Sequence, residues 1–130
     1  EWIAALEPIS TGASKPHLEI APWLIVVFAQ RWGTREDGAR YKHYYVPESV
    51  GLATGFLIGA LHLSGLSVLT HTPSPMKFLT GLCDRPVAEK PVMILAVGHP
   101  AKDATVPAAA LNKKPLEEIL TVISADTETT

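Results

Sequence analysis

VPESVGLATGFLIGALHLSGLSVLTHTPSP, residues 46–75, reads as one structural unit and decides the fold. Pro47 suits the first turn of a helix, where its missing N–H costs nothing, and Glu48 sets a negative charge at the positive end of the helix dipole. Gly65 stands where a left-handed C-terminal cap would close that helix. A short strand, Leu66–Leu69, then leads into Thr70-His71-Thr72-Pro73. The spacing predicts a helix over Pro47–Ser64. Gly51, Gly55 and Gly59 recur every four residues and so share one face of it. Each costs about 1 kcal/mol of helix propensity relative to alanine. That cost predicts a compensating close approach on the glycine face, by another helix or by a planar ligand.

The same glycine spacing in an apolar run also marks transmembrane helix pairs. Thr54, His62, Ser64, Gly65 and Ser67 interrupt this run. What is left uninterrupted is shorter than the roughly 20 residues a span requires, and no basic cluster flanks it to set a topology. The expectation is a buried, interface-forming helix and no membrane contact.

Helical and strand-like stretches alternate on either side. Trp2–Leu6 reads as the end of a helix closed before Pro8, and STGASKPH (10–17) as a turn-forming stretch. Trp23–Ala29, WLIVVFA, is β-branched, aromatic and without polar alternation, which predicts a strand buried on both faces. Residues 31–44 are polar and contain glycine, as a surface excursion would. Ser74 and Pro75 are suited to start a helix over PMKFLTGLCD, which Pro86 ends. Val92–Val97, VMILAV, is a second fully apolar strand, with Gly98 after it. The tail holds a lysine turn (NKKP, 112–115), a short amphipathic piece (Leu116, Ile119, Leu120) and a disordered-looking end, SADTETT (124–130). Buried strands separated by helices make an α/β or α+β sheet covered on both faces. No internal repeat or second domain is visible, so residues 1–130 are expected to form a single domain.

Composition narrows the function classes. With 47% hydrophobic and 18% charged residues, the 130-residue chain is globular and long enough for a core. Its formal net charge is −2 and no Lys/Arg run exceeds two, so a nucleic-acid-binding surface has no support. The one cysteine, Cys83, excludes an intrachain disulfide and suits a reducing cytoplasm. No basic-then-apolar signal opens the sequence.

Side-chain chemistry taken alone stops at a hint. The five histidines, at 17, 43, 62, 71 and 99, show no metal-ligand spacing, and no metal is expected. Cys83 lies among apolar residues and reads as core. No GxSxG elbow, P-loop or dinucleotide fingerprint is present. Lys113 and Lys114 beside Pro115 are suited to hold a phosphate, or else form a solvated pair.

The succession of motifs says more. Glu48-Ser49-Val50, the glycine helix, Thr70-x-Thr72-Pro73, Asp84-Arg85-Pro86, Val97-Gly98-x-Pro100, Ala104-Thr105-Val106-Pro107 and Lys114-Pro115-Leu116 follow one another in order. Together they resemble the C-terminal part of the nitroreductase-like flavoprotein family, in its iodotyrosine deiodinase branch. The resemblance runs from about Trp2 to Ile119. It implies an α+β fold, an α/β sandwich of the nitroreductase type.

It further implies an FMN-dependent oxidoreductase that takes electrons from NAD(P)H and passes them to a nitroaromatic, quinone or halogenated phenol, with ping-pong kinetics. Members of the family are homodimers with the flavin at the subunit interface, which assigns the Pro47–Ser64 helix to the dimer seam. Thr70, His71 and Thr72 then form the strand end along the flavin ring. Thr72 is the position whose hydroxyl donates to flavin N5 and tunes the cofactor towards one-electron steps. His71 departs from the branch's usual residue and receives no role of its own. Lys113 takes the place of a cation on the FMN phosphate. It is a lysine where the branch tends to have arginine, which keeps the positive charge but gives up the bidentate grip of a guanidinium. Lys15 corresponds to a lysine that binds the carboxylate of an amino-acid substrate.

Two family features have no counterpart in these residues: an arginine-rich phosphate grip, and a substrate lid carrying a glutamate and a tyrosine. The sequence is therefore expected to be the C-terminal portion of a family domain. Two functional classes stand side by side, an FMN-dependent oxidoreductase and a non-catalytic chain that dimerises but binds FMN weakly or not at all.

Overall fold

The computed structural model describes Leu6 and residues 12–123. Of the helix end expected over Trp2–Leu6 only Leu6 is among the described residues, and the tail 124–130 lies outside them. By its contacts the chain divides into two units, residues 16–102 and a second formed by residues 1–15 with 103–130.

The unit of residues 16–102 is an antiparallel sheet with helices. In chain order it contains α1 (His17–Ile20), β1 (Trp23–Gln30), β2 (Trp32–Thr34), β3 (Arg40–Lys42), α2 (Val46–Leu63), β4 (Ser67–His71), α3 (Phe78–Leu82) and β5 (Glu89–Gly98). The sheet has the order β1-β5-β4, with β5 antiparallel to both neighbours. The VMILAV run accordingly becomes the centre of the core. Ile94, Leu95, Ala96 and Val97 are buried in succession, Leu95 completely. Leu79 of α3 and Ala88 add to this core.

The other apolar strand takes a different place. Its composition predicts burial of β1 on both faces, yet among the described residues it bonds only to β5 and is an edge strand. Trp23 is 71% exposed, and only Ala29 is fully buried. The apolar run requires burial, but position in the strand order, which the run does not encode, decides how much the chain itself provides. Opposite Phe28 the register slips by one residue, pairing Val27 with Met93 and Phe28 with Pro91. Pro91 has no N–H to give a ladder, and such slips are where a strand tolerates proline.

The surface excursion is a hairpin. β2 and β3 pair antiparallel, with Gly33 opposite Tyr41. The Asp37-Gly38 pair makes its turn: Asp37 Oδ1 accepts from the Ala39 N–H at 2.8 Å, and Gly38 has φ +82°. The Tyr41 ring lies over Gly33, where an added Cβ would sit 2.5 Å from it. Arg40 stacks on Trp32 at 4.1 Å and Lys42 lies 5.3 Å from the Tyr44 ring.

Helix α2 forms as its sequence predicts, with Pro47 in the first turn and Glu48 beside it. It closes in a Schellman cap: the Leu66 N–H donates to the Leu61 carbonyl (3.0 Å) and the Gly65 N–H to the His62 carbonyl (2.9 Å), with Gly65 at φ +79°. One side of α2 packs on β1 and β4. Its buried residue is Thr54, whose hydroxyl donates back to the Val50 carbonyl at 2.7 Å. The helix is 18 residues long with mean hydropathy 1.3, long and apolar enough by length and composition to cross a membrane, which corrects the expectation that the run is too short.

α3 begins later than Ser74 and Pro75 suggest. Its first turn closes through the Leu79 N–H to the Met76 carbonyl, so Lys77 rather than Ser74 is the N-cap, and Pro75 sits in the bend before it. The second unit contributes two short helices, α4 (Ala108–Leu111) and α5 (Leu116–Ile119), each preceded by a proline, Pro107 and Pro115. Leu116, Ile119 and Leu120 of the expected amphipathic piece are exposed.

Candidate functional site

The Schellman cap joins α2 to β4 through a short connection, so the glycine helix and the threonine-bearing strand form one continuous element. At the far end of β4, Thr70 is paired with Leu95 and His71 with Ile94, while Thr72 has just left the ladder. Thr70 and Thr72 are exposed and His71 is half-buried. Neither threonine hydroxyl is spent on a hydrogen bond among the described residues. Two uncommitted donors two positions apart, at the rim of a rigid sheet, fit a polar edge such as that of a flavin ring. The His71 ring instead meets His17 of α1, with centroids 5.5 Å apart and planes at 74°.

The two expected lysines lie in the other unit. Lys113 is exposed in the link between α4 and α5 and takes part in no ion pair among the described residues, which leaves its charge for an anion such as a phosphate. Lys15 donates to the Gly12 carbonyl, one turn back in the chain. The structure thus brings Thr70, His71 and Thr72 together within residues 16–102, and assigns Lys15 and Lys113 to the unit of residues 1–15 and 103–130.

The glycine face of α2 is bare. A Cβ placed on Gly51, Gly55 or Gly59 would meet nothing within 4 Å. Leu52, Phe56, Ala60 and Leu63 line the same shallow groove, with Phe56 79% and Leu63 88% exposed. No described residue supplies the close approach those glycines call for. A patch of this kind marks a contact surface.

Sequence reasoning gives no place to one further feature. A cavity of about 690 Å³ opens between the hairpin, the start of α2 and β5, lined by Arg31, Lys42, His43, Tyr45 and Lys90 among others. The His43 Nε2 beside it is buried without a hydrogen-bond partner. None of the expected site residues lines it, and the only signal in the sequence is the cation-rich 31–42 stretch. Nearby, Arg85 clasps Glu89 through two 2.8 Å hydrogen bonds. These bonds, with the favourable charge interaction behind them, hold the Glu89 carboxyl below the usual carboxylate range and raise the Arg85 guanidinium. Among the described residues no group of three or more His, Cys, Asp or Glu could hold a metal.

Known proteins place this geometry. No family model matches the chain. Iodotyrosine deiodinase of Haliscomenobacter hydrossis is 52% identical over 107 residues, covering 82% of this chain and 48% of that protein. The iodotyrosine deiodinase of Nematostella vectensis is 44% identical over 121 residues, covering 92% of this chain and 45% of that one. A crystal structure of oxidized iodotyrosine deiodinase bound to FMN and 3-iodo-L-tyrosine superposes with a TM-score of 0.68 at 28% identity, over 94% of this chain and 57% of that one. An oxidoreductase containing FMN, 16% identical over 82% of this chain and 55% of that one, has the same fold at a TM-score of 0.61. The chain spans about half the length of the curated relatives it matches. This level of identity over most of its length, with the matching fold, makes the chain a member of the nitroreductase-like flavoprotein family, in the iodotyrosine deiodinase branch.

Proposed function

We propose that the chain is part of an FMN-dependent oxidoreductase, and that the strand end Thr70–Thr72 is its contribution to the edge of the flavin ring. The observation that carries this reading is the pair of exposed, uncommitted threonine hydroxyls at the end of β4, in a fold that holds FMN in a solved relative. On this reading the Thr72 hydroxyl would be the donor to ring nitrogen N5 of bound FMN, and Thr70 would stand along the same edge. Lys113 gives a charge-assisted hydrogen bond to the FMN phosphate, and Lys15 takes the carboxylate of an amino-acid-like substrate. FMN, when bound, carries the electrons between NAD(P)H and an aromatic acceptor such as a nitroaromatic, quinone or halophenol. Donor and acceptor use one site in turn, so the kinetics are ping-pong.

The bare glycine face supports a second copy of the chain as the partner, meeting the first along α2 in the cytoplasm. Glycines every fourth residue let two helix backbones approach closely, and a homodimer seam would cover Leu52, Phe56 and Leu63. The same open face is compatible with a second reading, a non-catalytic chain that dimerises but binds FMN weakly or not at all.

Titration of the 130-residue protein with FMN, followed by quenching of flavin fluorescence, separates the two. Saturable quenching that weakens by about tenfold or more in Lys113→Ala, the size expected for losing a hydrogen bond to a charged group, supports the oxidoreductase reading. Dimers that leave the fluorescence unquenched support the second.

A further inference from the structure

We propose that the cavity at the root of the hairpin is a binding site for a small organic oxyanion, a carboxylate or phosphate carried on an apolar body, and that Arg31 is its anchor. The inference stands on this cavity alone and does not use the flavin reading of Thr72.

Arg31 joins β1 to β2, and its backbone is held from both sides. Its N–H donates to the Ala88 carbonyl (2.9 Å), which continues the β1–β5 register, and its carbonyl accepts from the His43 N–H (3.0 Å), which closes the base of the hairpin. The guanidinium is fixed as well, with Nη2 donating to the Val87 carbonyl at 3.0 Å. A guanidinium carries its N–H donors in a planar fork, so most of the fork stays available after that one bond. Its charge is spent on no ion pair among the described residues. An arginine held in this way suits the paired oxygens of a carboxylate or phosphate.

The surroundings repeat the same sign of charge. Lys90 faces Ala29 in the ladder, two positions along from the Ala88 carbonyl that Arg31 bonds, so the two cations stand on one side of the sheet. Both line the cavity of about 690 Å³ between the hairpin, the start of α2 and β5. Both also line a neighbouring cavity of about 640 Å³ beside α3, where Lys77 adds a further positive charge. Lys42 belongs to the wall of the first. Against Arg31, Lys42 and Lys90 that cavity sets one carboxylate, Glu48; in the second, Glu89 is already clasped by Arg85. None of the four cations has an ion-pair partner among the described residues. A cleft lined mostly by one sign of charge gathers the opposite sign.

The remaining lining says what the anion is carried on. Ala29, Val46, Val50, Val92 and Met93 are apolar, and the volume falls in the range of small-molecule sites. One polar atom interrupts this wall. His43, bonded across the hairpin base to Arg31, has its Nε2 buried without a hydrogen-bond partner. A buried nitrogen left unpaired is costly, and a hydroxyl or carbonyl on the ligand body would meet it. Charge at Arg31 and Lys90, apolar surface beside them and one polar contact at His43 together describe a small amphipathic anion.

The test is an amide NMR titration of the ¹⁵N-labelled 130-residue protein with phenyl phosphate and, separately, with benzoate; benzyl alcohol is the neutral counterpart. The anions are expected to move the Arg31, His43 and Lys90 amide signals along a saturating curve, and the tighter of the two names the preferred headgroup. Benzyl alcohol is expected to bind at least about tenfold more weakly, the size of a lost hydrogen bond between charged groups. Arg31→Gln is expected to weaken the anions by a similar factor, and Glu48→Gln, which removes the opposing charge, to tighten them. Lys90→Gln leaves the hydrogen bonds of Arg31 in place and replaces Arg31→Gln if that variant does not fold. Amides that do not saturate, an alcohol that binds as tightly as the anions, or an affinity unchanged in the Arg31 and Lys90 variants overturns the inference. Repeating the titration with FMN in excess separates this site from the flavin edge. Phenyl phosphate shifts that persist, whether or not FMN binds, support a separate site. Shifts abolished by FMN make the cavity the flavin's own site and overturn the inference.

Discussion

Along β5, Ile94–Val97 are enclosed by the sheet neighbours β1 and β4 and by the elements packed on them, and Leu95 has no exposure. Along α2, Leu52, Phe56 and Leu63 flank three glycines and stand open. Both stretches are apolar, and both carry a pattern that asks for close packing. The strand finds it inside the chain and the helix face does not. A hydrophobic pattern states what must leave water, and the partner is named by whatever else is present, whether a neighbouring strand, a second copy or a flavin.

Three measurements sharpen or break this contrast. The largest effect is expected from Leu95→Ala, which opens a cavity at the most enclosed point and should cost about 2–5 kcal/mol of unfolding free energy, read as a lowered urea midpoint at unchanged slope. A loss below about 0.5 kcal/mol, the size of an ordinary surface change, would put the core elsewhere. Phe56→Asp, on the open face, should leave chain stability within about 0.5 kcal/mol and convert dimers to monomers in light scattering. A wild-type protein monomeric at every concentration would remove the partner from that face.

The smallest effect belongs to Arg85→Gln, at a pair partly open to solvent. Arg85 holds the Glu89 carboxyl below its usual range, so the pair's contribution is present above that range and fades as acid titrates Glu89 in the folded state. Removing Arg85 should flatten the loss of stability between about pH 5 and 3, in melting temperatures taken across that window. An unchanged acid limb would mean the pair adds nothing.

Much of this is legible in the residues. Pro47, Glu48 and Gly65 mark both ends of α2 because cap chemistry is local: a missing N–H, a charge, a left-handed turn. VMILAV marks a buried strand because consecutive apolar residues can be satisfied only from both sides. WLIVVFA carries the same signal and becomes an edge, since strand order is settled by contacts far away in sequence. The hairpin is hard to read because Trp32–Thr34 and Arg40–Lys42 are too short for alternation to show, although Asp37-Gly38 points to its turn. At the site, Thr70 and Thr72 stand out only through resemblance to a family, and no rule of spacing would choose them. The ring contact of His17 with His71 gives no local sign because the two lie 54 positions apart.

The cap at Gly65 has a consequence for how the protein can vary. Two hydrogen bonds and one left-handed residue make a stiff elbow between α2 and β4, with no slack of linker between them. A tilt imposed at one end of such an elbow arrives at the other as a displacement. Whatever seats against Gly51, Gly55 and Gly59 is thereby felt at Thr70, and substitutions that suit the helix face are screened by what they do to the strand tip. On the proposed reading, assembly and ligand edge would be mechanically linked through this elbow, and a lengthened or softened elbow is the change that would uncouple them.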